Sequence, residues 1–240
     1  MTATHFESII ETMLPALLQG DRAAVRTLVS RTLASGASAE TFTEQVAWPI
    51  HEALHKLHRA DQIERISFNY ATRLLRTVVD QLQLAYTRAQ PNGRTVNLFC
   101  GSGENEDLGG QMAADLLEAA GFTVQFAGGG VAHDEILQET GQRRPDFLVL
   151  FASSASDAPG IRAIIDQVRE VGATPDMEIV VGGGVFNRAD GLAEAIGASR
   201  FARTPLSLVD TLQASKAQAA SKPAARATAT KARERLRAVA

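Results

Sequence analysis

Over residues 1–90 the apolar positions recur three and four apart, the spacing that gathers them on one face of a helix. Ile9, Ile10, Met13, Leu14, Leu17 and Leu18 form a first stripe, punctuated by Gly20-Asp21. Asp21 predicts the cap of a second helix carrying Val25, Leu28, Val29 and Leu33. The run SGAS breaks that helix. Ser38 and Glu40 open a third, striped by Val46, Ile50, Leu54 and Leu57. A fourth is predicted to open at Asp61 and to bury Ile63, Ile66, Tyr70, Leu74, Leu75, Val78 and Leu82. Four amphipathic helices on short connections predict an N-terminal four-helix bundle.

After RAQPNGRT, a turn built on Pro91, Asn92 and Gly93, the pattern changes. TVNLFC, TVQFAG, DFLVLFA and EIVVGGG are short β-branched and apolar runs. Helical stretches follow them at Leu108–Ala120, His133–Gly141, Ala158–Val171 and Arg188–Ile196. Strands alternating with helices predict an α/β domain over residues 94–212. Its sheet should be parallel and doubly wound, Rossmann-like or flavodoxin-like, with ligands beyond the carboxyl ends of the strands.

From Gln213 to Ala240 the chain is mostly Ala, Ser, Thr, Lys and Arg, with seven basic residues against the single acid Glu234. It reads as a solvated tail, partly helical or disordered. The whole chain carries a net charge of −3, which argues against nucleic-acid binding except weakly through this tail. A single cysteine, Cys100, precludes an internal disulfide and suits a reducing cytoplasm. No apolar run reaches the roughly 18 residues a membrane span needs.

The turn after the first strand, GSGENED, feeds a helix. Such a turn lets a ligand approach the backbone closely. Gly101-x-Gly103 lacks the third glycine of a dinucleotide site and the Gly-Lys-Ser/Thr of a phosphate loop. Glu104 and Glu106 crowd the same entrance and would repel a phosphate, so a nucleotide is disfavoured.

The longer stretch ENEDLGGQMAADLLEAAGFTVQFAGGG resembles the cobalamin-binding domain of methionine synthase, methyltransferase corrinoid proteins and light-responsive cobalamin regulators. That family carries Asp/Glu-x-His-x-x-Gly after its first strand. Here the acid falls on Glu104, the histidine position on Glu106 and the glycine on Gly109, with Asp107 between. The resemblance continues in FASSAS, with Ser153 and Ser154, and in VVGGGVF, with Gly182, Gly183 and Gly184. It implies a deep slot, free of side chains, for the dimethylbenzimidazole arm of the cofactor. It also implies that the helical bundle covers the upper face of the corrin. Aligned on Pro49, the light-responsive members' Trp and Gly become His58 and Asp61, and their Glu-His pair becomes Phe68-Asn69. The helix pattern holds and the diagnostic side chains differ.

In the family, the histidine ligates cobalt from below and its acid orients it. Glu106 brings a harder, charged group to that position. Three outcomes follow. Cobalamin (adenosylcobalamin or methylcobalamin) binds with its own base attached or with water below; or the pocket takes another tetrapyrrole, haem or biliverdin; or the fold serves as a ligand-free scaffold. His51, His55 and His58 lie at i, i+4 and i+7 on one helix face. His55 and His58 fall where the family's bundle meets its cofactor, with Asn69 on the next helix. His58 and Glu106 are the metal-ligand candidates, and a zinc site from the three histidines would still want a further ligand. The competing reading of the histidines is a partly exposed polar face. Trp48 reads as a bundle core or interface residue. No catalytic triad or helical His-Glu-x-x-His is present. The leading expectation is therefore a cobalamin-binding sensory protein working through a signalling partner, with self-association left open. A corrinoid carrier for methyl transfer is a lesser alternative.

Overall fold

The computed structural model describes residues 3–103 and 107–215. The N-terminal half is helical: α1 (Ala3–Gln19), α2 (Arg22–Ala34), α3 (Ala39–Phe42), a π-helical stretch (Thr43–Ala47), α4 (Trp48–Arg59) and α5 (Arg65–Gln83). Asp21 caps α2 through Ala23 N–H and Ala24 N–H, at 3.1 and 3.0 Å. Ser38 caps α3 in the same way through Thr41 N–H. The predicted third helix is thus one rod, α3 to α4, interrupted by a π turn. Two expectations for the fourth helix fail. Asp61 does not open it but ends the preceding helix at φ +52°, a left-handed conformation that a short polar side chain tolerates. The buried stripe also runs through Phe68, Ala71, Leu74, Leu75, Val78 and Leu82. Ile66 and Tyr70 lie outside it and are exposed.

The C-terminal half is a parallel sheet in the order β2-β1-β3-β4-β5. Its strands are β1 (Thr95–Cys100), β2 (Thr123–Gly128), β3 (Phe147–Phe151), β4 (Glu178–Gly182) and β5 (Arg200–Ala202). This is the flavodoxin-like order, with its switch point between β1 and β3. The helices are α6 (Asp107–Ala119), α7 (His133–Arg143), α8 (Ala158–Val171), α9 (Gly184–Arg188), α10 (Leu192–Ala195) and α11 (Pro205–Ala214). The three-residue β5 is too short to show as an apolar run. The first residues of the expected tail, Gln213 and Ala214, belong to a helix. A Thr204–Ser207 capping box starts α11, which buries Leu208, Val209 and Leu212 and carries the helix to Ala214. The hydroxyl of Ser215 then donates to the Glu178 carboxylate. Residues 216–240 lie outside the described residues.

Side chains alternate along the strands, so each face of the sheet has its own core. Leu98, Phe147, Val149, Phe151 and Val180 join α6, α11 and the whole bundle in one continuous cluster. Phe99, Leu148, Leu150 and Val181 pack under α7, α8, α9 and α10. The bundle is therefore part of the sheet's own core. Its α4 runs to the carboxyl ends of β3 and β4. Arg76 of α5 ties the two halves together by donating to Asp107 and Gln111 of α6, both at 2.7 Å.

Candidate functional site

The seam between α4 and the strand ends gathers most of the predicted residues. The π turn inserts one extra residue into the helix just ahead of Trp48, shifting the face that follows. Trp48 and His51 then point into the seam, where they are 4% and 3% exposed. A partly exposed polar face is thereby overturned for His51. The rings form a chain: Trp48–His51 with centroids 5.4 Å apart, His51–His55 at 4.5 Å, His55–Phe68 at 5.2 Å and Phe68–His58 at 4.2 Å. The rings of His51 and His55 meet edge to face, and His58 stacks on Phe68 rather than joining them. Among the described residues no group of three or more His, Cys, Asp or Glu is placed to hold a metal. His58 lies nearly parallel to Phe68, at 24°.

Burial holds the His51 imidazole well below its usual proton affinity, and the charges of His55, Arg59 and Arg76 add to this. His55 is lowered to about 4, first by burial and then by Arg59, His58 and Arg188. Both rings are neutral at neutral pH. Trp48 Nε1, His51 Nδ1 and His55 Nε2 are buried with no hydrogen-bond partner among the described residues. Leaving such groups unmade is costly, and the three lie together along this seam.

A cavity of about 320 Å³ opens there, and His55, His58, Asn69, Ser153 and Ser154 line it together with Arg59, Arg65 and Phe68. A smaller adjoining space touches Trp48, His51, Gly184 and Arg188. The glycine run is not open. Gly182 and Gly109 both lie against the ring of Phe151: a Cβ on either would come within 2.9 or 3.0 Å of it. Gly183 has φ +100°, and a Cβ there would lie 2.3 Å from the Ala152 carbonyl. The Arg188 guanidinium covers Gly184 and donates to the Ser153 carbonyl. Asp107 opens α6, and Gly103 is exposed just before it. Glu104 and Glu106 lie outside the described residues. His133 begins α7, as expected, and lines a separate crevice of about 380 Å³ between α7 and α8. Cys100 packs under Gly110.

Residues 94–203 match the sequence profile of the B12 binding domain. This half of the chain is a B12-binding domain. It is 27% identical over 100 residues to dimethylamine corrinoid protein 1 of Methanosarcina acetivorans, covering 42% of this chain and 46% of that protein. Dimethylamine corrinoid protein 3 of Methanosarcina mazei matches at 27% over 100 residues, 42% of this chain and 59% of that protein. The match spans about half the length of these curated relatives. The monomethylamine corrinoid protein of Methanosarcina barkeri superposes with a TM-score of 0.76 at 17% identity, over 86% of this chain and 97% of its own. The shared fold thus takes in the bundle as well as the B12-binding domain. Sequence reading missed Phe151, Arg59 and Arg188 as seam residues. Phe151, which ends an apolar strand and is the first residue of FASSAS, was the one signal available.

Proposed function

We propose that the chain binds a corrinoid at the seam between α4 and the strand ends and presents it to a partner protein. The observation that carries this reading is the trio of unpartnered buried nitrogens, Trp48 Nε1, His51 Nδ1 and His55 Nε2, set over the strand ends of a B12-binding domain. A corrin is rimmed with amide side chains, and neutral imidazoles beside Asn69 and Ser154 suit such a rim. When bound, a corrinoid supplies a cobalt centre that accepts and releases an alkyl group. The chain's own residues hold its edge, exclude water from its upper face and keep the histidines uncharged beside it.

Both curated relatives are named as corrinoid proteins, which favours a carrier over the sensory role that the sequence first suggested. Glu106 in place of a histidine weighs against copying their cobalt chemistry in full. Haem and biliverdin remain the competing occupants. Thermal denaturation with hydroxocobalamin, haem and biliverdin separates them. A ligand present at about a hundred times its dissociation constant stabilises the folded chain by about 2.7 kcal/mol. Only hydroxocobalamin is expected to raise the midpoint. A rise with haem or biliverdin alone rejects the corrinoid reading.

A further inference from the structure

We propose that this chain takes its corrinoid without admitting the nucleotide base, because Phe151 closes the glycine-walled slot where that base would go. The inference rests on the corrinoid reading above and concerns which form of the cofactor is held.

Phe151 is the last residue of β3 and is 2% exposed. Its ring fills the gap between two glycines from different elements. Gly182 of β4 meets one edge, where a Cβ would lie 2.9 Å from Cε2, and Gly109 of α6 meets the other, where a Cβ would lie 3.0 Å from Cε1. Trp48 closes the third side edge-on at 6.2 Å and 78°. The glycines keep side chains away, as a flat guest requires, but the guest is the chain's own phenyl ring. The rest of the run is covered by the Ala152 carbonyl and Arg188. A base entering here would have to expel a packed aromatic ring. Position 106 also carries a carboxylate, so no loop imidazole stands ready to replace the base on cobalt. With the slot filled and no histidine at position 106, the residues of this chain would give the nucleotide arm no place of its own, and the arm would add little to affinity.

The test titrates the full chain with methylcobalamin and with cobinamide, which lacks the nucleotide arm. Binding is followed by quenching of Trp48, the only tryptophan. The expected result is similar affinity for both, within about tenfold or 1.4 kcal/mol. Bound methylcobalamin should keep the visible spectrum of its base-on form. A base-off spectrum on binding, or cobalamin held far more tightly than cobinamide, overturns the inference and leaves corrinoid binding intact. Binding of neither ligand overturns the corrinoid reading and this inference with it. Phe151→Ala should open the slot, favouring methylcobalamin over cobinamide by about tenfold or more and bringing in base-off character. Should that variant not fold, the wild-type comparison still decides.

Discussion

Trp48 meets Phe151 edge to face, with ring centroids 6.2 Å apart, joining the first residue of α4 to the last residue of β3. Both rings are almost wholly buried. This contact fastens the helical half to the strand ends and shapes the seam below it. Truncation to Trp48→Ala should cost about 3–5 kcal/mol in chemical denaturation, the usual range for deleting a buried aromatic. A loss under 1 kcal/mol would show that the two halves are held mainly elsewhere.

Gly109 leaves no room for a methyl group: its Cβ would stand 3.0 Å from Phe151, 3.2 Å from His51 Nε2 and 3.3 Å from Trp48. Gly109→Ala should therefore destabilise by about 1–3 kcal/mol through overpacking. Gly183→Ala should be worse, since a side chain there meets the Ala152 carbonyl at 2.3 Å with φ at +100°. Equal urea midpoints for Gly109→Ala and wild type would contradict the packing described.

His55 has its affinity for protons lowered from 6.5 to about 4, chiefly by burial, and His51 is lowered in the same direction. The unfolded chain therefore takes up these protons first as the pH falls. The stability they contribute is complete above about 6.5 and is lost as the pH drops toward about 4. His55→Gln should shrink the stability difference between neutral pH and mild acid by about 1–2 kcal/mol. An unchanged pH profile would mean that His55 stays solvated in the native state.

Asp115 on α6 behaves oppositely. Burial, with Glu118 and Asp80 nearby, raises its carboxyl from 3.8 to about 7, and its Oδ2 has no hydrogen-bond partner among the described residues. The folded chain keeps this proton longer than the unfolded one. Stability is thus full below about 3.8 and declines until the pH has passed about 7. Asp115→Asn should stabilise at mildly alkaline pH by about 1 kcal/mol, after allowing for the water that still reaches the group. It should have little effect in mild acid. Equal effects at both pH values would remove Asp115 as the cause.

Much of the sheet was legible because its strands are dense runs of β-branched and apolar residues bounded by glycine turns, and because the helix caps Asp21 and Ser38 are local signals. The short β5 carried too few residues to announce itself. The position of His51 was not legible. Its burial depends on the π turn at Thr43–Ala47, a backbone event with no fixed sequence mark, and on docking against a sheet far away in the chain. The same limit applies to Gly182. A glycine that could clear a slot for a ligand looks identical in sequence to one that clears space for Phe151.

The central claim is that a corrinoid is held at the seam of α4 and the strand ends. The most direct measurement is the visible absorption spectrum of the purified chain after mixing with hydroxocobalamin and desalting. The account predicts corrin absorbance eluting with the protein at about one equivalent, and much less of it with His55→Ala. Protein eluting colourless, at full folding, would contradict it.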